Sequence, residues 1–244
     1  VNFVLAAATV LFSLSDPKGD AHGDGGYTLP ERIDEATVDL RTFTAVNQNG
    51  QLELRLTMDR VANPENAPNG FSGPAFEIFL AQSRGGVSAL GPSGFFAPSG
   101  RGWQYRVSLN GFQARLEAAP NSEADAPIVP PTVRVEGSDV VIDTSLPARQ
   151  YAFWAFVGVY DPLSRDGLRI PVTRWSAGQL ASPIEDAPPV VDVLSSEPQV
   201  GLYASRTVDA VNEPVSRTDP LLLTGLLGLC IALATTLWGI VRRR

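Results

Sequence analysis

Side chains alternate strictly from Gln51 to Met58: Leu52, Leu54, Leu56 and Met58 fall on one face, Glu53, Arg55 and Thr57 on the other. Period two places successive residues on opposite faces of a strand, so this segment reads as a half-buried antiparallel strand. No long 3.6-residue period appears before Leu221, which argues against helical layers. Comparable runs predict strands at Thr9–Ser15, Thr37–Val46, Ala75–Ala81, Gln104–Leu109, Gln113–Ala118, Thr132–Glu136, Asp139–Thr144 and Tyr151–Tyr160. Asn47-Gln-Asn-Gly50, Asn110-Gly111 and Gly137-Ser138 read as tight turns between neighbours. With 22 Gly and 20 Pro, the chain has turn-formers for many short elements. The expected fold class is all-β, an antiparallel β-sandwich over residues 9–200. Within it, Gly85–Gly102 reads as a long surface loop of the kind that carries function.

A second feature lies at the other end of the hydropathy scale. From Leu221 to Val241 there is no charged residue. At about 1.5 Å per helical residue this run spans the roughly 30 Å hydrocarbon core of a bilayer. Trp238 suits the interface, and Arg242, Arg243 and Arg244 follow as a cytoplasmic basic tail. The expectation is a single C-terminal transmembrane helix, with the N-terminal domain extracytoplasmic. Residues 1–8 are apolar and end in Ala6-Ala7-Ala8, as the end of a signal peptide does. Residues 201–220 are polar and aperiodic, and read as a stalk. Small residues at Thr224, Gly225 and Gly228 would also let the span pack in a larger membrane complex.

Charge and cysteine content narrow the chemistry. The net charge is −7 even with the three terminal arginines counted, and no basic stripe is present for phosphate, so nucleic acid is not expected as a partner. The one cysteine, Cys230, lies inside the apolar run. The domain therefore has no disulfide and no catalytic thiol. Nucleophilic catalysis would rest on the one histidine, His22, with no Gly-x-Ser-x-Gly around any serine. No motif marks a catalytic carboxylate pair or a nucleotide loop, and the domain is read as non-enzymatic.

Two clusters of candidate site residues remain. Asp16, Asp20 and Asp24 stand four residues apart in a Gly-rich loop, with Asp39 on the neighbouring strand. Hard cations take six to eight oxygen ligands, which such a loop can supply, although a solvated acidic turn has the same composition. Phe95, Phe96, Trp103 and Tyr105 surround the long central loop and are the candidates for stacking on a sugar face. Packing is the preferred reading for them, with Trp103 and Tyr105 in the sandwich and the two phenylalanines plugging its end. Trp154 is assigned to the core.

The Gly-rich loop also carries a resemblance. Asp16-Pro-Lys-Gly-Asp20 and Gly23-Asp-Gly-Gly-Tyr-Thr-Leu-Pro30 resemble the opening of the C-terminal domain of glucodextranase, a DOMON-like β-sandwich also appended to amylopullulanases. Val38-Asp-Leu-Arg-Thr-Phe43, Asn69-Gly-Phe-Ser72, Glu77-Ile-Phe-Leu80, Gly102-Trp-Gln-Tyr105, Arg169-Ile-Pro-Val172, Trp175 with Gly178, and Val190-Val-Asp-Val-Leu194 continue it in order. The family's paired aspartate is here Ala21, which removes one candidate ligand. The resemblance implies a non-catalytic sandwich that carries structural Ca2+ and binds carbohydrate, cell-wall material or an envelope partner protein, as in an S-layer. Some wider relatives hold b-type haem through His or Met. Met58 is in register with Leu52, Leu54 and Leu56 and His22 sits in the acidic loop, so haem and electron transfer are the less favoured reading.

Overall fold

The computed structural model describes residues 8–120, 127–195 and 198–213. Residues 1–7, the expected span Leu221–Val241 and the Arg242–Arg244 tail lie outside the described residues. Among those described, no helix is long and apolar enough to cross a membrane.

Among the described residues, ten strands form two five-stranded sheets. The first contains β1 (Thr9–Ser15), β2 (Leu40–Gln48), β3 (Gln51–Met58), β8 (Asp139–Pro147) and β7 (Thr132–Glu136), in that spatial order. The second runs β10 (Asp192–Val193), β9 (Ala152–Val159), β4 (Pro74–Ala81), β5 (Tyr105–Asn110) and β6 (Ala114–Ala118). Every pairing between these strands is antiparallel. The β2–β3 hairpin turns on Asn49 and Gly50, both at positive φ (55° and 87°), as a two-residue turn matched to strand twist requires.

Pairing register fixes which faces meet. Phe43, Ala45, Leu54, Leu56, Val140 and Ile142 line the inner face of the first sheet. They oppose Phe76, Ile78, Leu80, Val107, Phe153 and Val157 of the second. Phe43 and Phe153 meet across the sandwich with ring centroids 5.1 Å apart, and Phe12 stacks on Phe153 at 5.9 Å. Met58 is buried in this core, in line with its leucine register.

The outer faces differ. That of the first sheet is a ladder of ion pairs: buried Glu53 accepts from Arg55 Nε at 2.7 Å and from Arg134 Nη2 at 2.9 Å, and Arg134 also pairs with Asp143. That of the second sheet is apolar over Phe79, Trp154 and Phe156, and exposed aromatic surface of that size demands a cover. Two segments provide it. The loop between β4 and β5 buries Leu90, Phe95 and Trp103 there, with Phe95 stacked on Phe156 at 5.5 Å. The second cover is the segment expected as a stalk. From α1 (Val200–Ser205) to Glu213 it packs on the sandwich: Tyr203 and Val208 are buried, and Trp154 Nε1 donates to Val208 O at 2.8 Å. The described domain therefore runs past residue 200 to 213. Its polar composition hid this because a few anchors, not a period, hold it down.

The β5–β6 turn shows how tightly the parts fit. A Cβ at Gly111 would lie 2.1 Å from Phe71 O and 2.7 Å from Ala67 Cβ. Gly111→Ala is expected to cost about 1–3 kcal/mol through this backbone clash; a thermal melt matching wild type would show that the turn yields freely.

Candidate functional site

Strand β1 ends at Ser15, and the chain turns away with Asp16 N–H still bonded to Arg41 O at 2.9 Å. This holds Asp16 against the start of β2, beside Asp39. On the other sheet, β10 is a two-residue strand paired to β9, with Asp192 opposite Val157. Asp192 Oδ2 accepts the Leu40 N–H at 2.7 Å, so edge strand β10 of the second sheet is joined to the start of β2 through this carboxylate. Ligand oxygens of Asp16, Asp20 and Asp192 lie within 4.8 Å of one another.

Asp16, Asp39 and Asp192 are each positioned by one carboxylate oxygen and leave the other unused. Asp16 Oδ1 accepts from Ser195 N at 3.1 Å, and Asp39 Oδ2 from Gly19 N at 2.9 Å. Asp16 Oδ2, Asp20 Oδ1, Asp39 Oδ1 and Asp192 Oδ1 are buried without a hydrogen-bond partner. Gln199 closes the arrangement from α1's side, donating to Asp20 O and accepting Val193 N–H at 2.9 Å.

Burial dominates the electrostatics. It pushes the Asp16 carboxyl up to about 7, opposed by the Ser195 N–H and reinforced by the charges of Asp20 and Asp39. Burial raises Asp192 well above the ordinary carboxylate range, with Asp16 as the next cause. Asp20 and Asp39 are also raised, again chiefly by burial. Arg41 offsets part of the charge on Asp20 and Asp39, but one guanidinium does not balance four carboxylates. Buried like charges with idle oxygens are stable when protonated or when they share a cation. Three converging carboxylates, with Asp39 alongside, offer hard oxygens of the kind a calcium-sized ion takes.

Sequence reasoning named Asp16, Asp20, Asp24 and Asp39 together. The structure gathers Asp16 and Asp20, sets Asp39 alongside, and leaves Asp24 in its own turn, where Oδ1 accepts Gly26 N–H at 2.9 Å. Asp192 was missed. Its signal was a lone carboxylate inside Val190-Val-Asp-Val-Leu194, since a charge within an apolar strand needs a partner. His22 faces Glu35, with Nε2 3.0 Å from Oε1. Ala21 is fully buried among apolar side chains.

The aromatic candidates separate as well. Phe95, Trp103 and Tyr105 are buried, and Trp103 Nε1 is committed to Ala89 O at 2.7 Å. None of the three offers a face to a sugar. Phe96 alone of the four is open, at 51% exposure. The long loop is a packed cover because the sheet beneath it is aromatic.

The model for the C-terminal binding module, SLH-like, of glucodextranase matches residues 11–202. The chain belongs to this family. The match takes in both sheets of the glucodextranase C-terminal module, the acidic cluster and the start of α1. No curated protein matches the chain significantly.

Proposed function

We propose that this chain is a non-catalytic carbohydrate-binding module of the cell envelope, held at a membrane by Leu221–Val241 and stabilised by Ca2+ at Asp16, Asp20, Asp39 and Asp192. Membership of a binding-module family across the whole sandwich carries the reading. The four idle, buried carboxylate oxygens support the ion. A bound Ca2+ supplies the positive charge that lets these groups ionise. Asp24 is left out of this ligand set because its carboxylate closes a local turn.

The module's work is attachment, so its test is retention. The full chain, in a detergent without sugar headgroups and with Ca2+ present, is expected to be retarded on dextran or cell-wall polysaccharide and to elute with competing soluble glycan. Unretarded passage over every matrix would overturn the carbohydrate reading. For the tether, alkaline washing is expected to leave the protein with the membrane pellet, whereas a chain ending at Glu213 goes to the supernatant. Release of the full chain by the same wash would remove the anchor.

A further inference from the structure

The second sheet's outer face is covered only at its aromatic end. Its other end is an open cleft of about 370 Å³, within the range of ligand-binding pockets. Glu77 of β4, Arg106 and Ser108 of β5 and Glu117 of β6 form the floor, and the Tyr160–Gly167 segment forms one wall. We infer that this cleft, rather than the aromatic loop, is where the module takes a neutral polysaccharide chain. The inference rests on the carbohydrate-binding reading above and adds its location and ligand charge.

The floor is rigid before any ligand arrives. Arg106 clasps buried Glu77 with two bonds, Nε–Oε2 at 2.6 Å and Nη2–Oε1 at 2.9 Å, and reaches Glu117 with Nη1 at 3.2 Å. Its guanidinium also lies 5.9 Å from the Phe79 ring centroid. A donor-acceptor surface fixed in this way binds hydroxyls without first ordering flexible side chains. Spare hydrogen-bonding groups border it. Asn110 uses Oδ1 to accept Phe112 N–H and Gln113 N–H, which leaves its amide N–H groups available. The hydroxyls of Ser108 and Tyr160 have no protein partner among the described residues.

Charge decides the ligand class. The lining carboxylates Glu77, Glu117, Asp161 and Asp166 face the lining arginines Arg106, Arg115 and Arg165, and Arg169, 3.7 Å from Asp161, supplies the fourth positive charge. An anionic or cationic polymer would find no net opposite field, whereas hydroxyl-rich neutral sugars would find donors and acceptors in alternation. An apolar face is present too. Tyr160 is half-buried in the cleft, and the Phe112 ring, 40% exposed, lies 5.5 Å from it. The pair sets aromatic rings at the border of the cleft, where Tyr160 can pack on the C–H face of a pyranose. Gly167 keeps that wall bare: a Cβ there would stand 3.4 Å from Asn110 Nδ2 and 3.8 Å from the Tyr160 ring.

The test is affinity electrophoresis of the full 244-residue chain through gels containing dextran, with hyaluronan as the anionic comparator, in Ca2+ and a detergent without sugar headgroups. Ser108→Trp fills the floor and Tyr160→Ala removes the stacking ring. Each is expected to weaken dextran retardation by about ten-fold or more, the loss typical of a central contact residue. Trp175→Ala, an exposed aromatic outside the cleft, is the comparator expected to match wild type. Melting curves identify any variant that has lost its fold, and the other variant then decides. Wild-type retention that survives both cleft substitutions, or fails in Trp175→Ala instead, would overturn the cleft while leaving the carbohydrate reading intact. Stronger retention by hyaluronan would overturn the neutral-ligand assignment. No dextran retention by wild type would overturn this proposal, and the module's function with it if other glycans fail as well.

Discussion

Chelation of divalent ions is expected to lower the melting temperature by about 5–10 °C near pH 7.5 and to change it little near pH 4.5. The figure follows from about 2.7 kcal/mol for an ion at one hundred times its dissociation constant and about 2–4 °C per kcal/mol for a domain of this size. The pH dependence follows from the carboxyls. Without an ion, Asp16 is raised to about 7 and Asp192, Asp20 and Asp39 are raised as well. An acid whose folded pKa lies above its unfolded value contributes stability that is fully present below the unfolded pKa, about 4. That stability is lost as pH rises through the folded pKa. The ion-free protein is therefore expected to be more stable near pH 4.5 than near pH 7.5. Ca2+ acts in the opposite sense, because it binds the ionised groups and competes with protons. Asp192→Asn separates the two effects. It removes a buried charge, so the chelated variant is expected to melt above chelated wild type near pH 7.5 while responding little to added Ca2+. Superimposable melts with and without chelator at both pH values would reduce the cluster to a proton-sharing structural feature.

Arg106→Met is expected to be the most damaging single change on the second sheet. Glu77 is 2% exposed, and Arg106 is its bidentate partner. Removing one member of such a pair leaves an uncompensated buried charge, at a cost of about 3–5 kcal/mol. The double variant Arg106→Met with Glu77→Gln is expected to recover most of the loss, since it leaves no charge unpaired. Denaturant titrations of both variants decide the matter. Equal destabilisation in the single and double variants would mean that Arg106 serves through packing over Phe79 rather than through its charge.

The strands were legible where one face is wet. Gln51–Met58 shows it best: ion pairs hold its outer residues at the surface and leucines fill the inner ones, so alternation survives in the sequence. β9 was found by its aromatic and β-branched run, but its burial on both faces erased the alternation, and its cover could not be guessed. The loop from 85 to 102 and the tail after 200 look polar and irregular because a few residues, among them Leu90, Phe95, Tyr203 and Val208, do their packing. A periodicity argument cannot see isolated anchors. The acidic loop was legible as a local cluster, whereas Asp192 joins it only through the pairing of β10 with β9. The polar cleft was less legible still. Its floor comes from three strands and its wall from a fourth segment, and no short motif records that meeting.

The clasp between Asp16 and Asp192 also sets an order of events. One half of it is made at the beginning of the domain and the other near its end, so a chain emerging from ribosome or translocon carries Asp16, Asp20 and Asp39 long before their partner exists. Until then those carboxylates stay in water, ionised and unconstrained. The complete cluster therefore cannot assemble before Asp192 has been synthesised, and it joins residues far apart in the sequence. A fragment ending before Val190 would retain most of the strands yet lack the residue that locks them together.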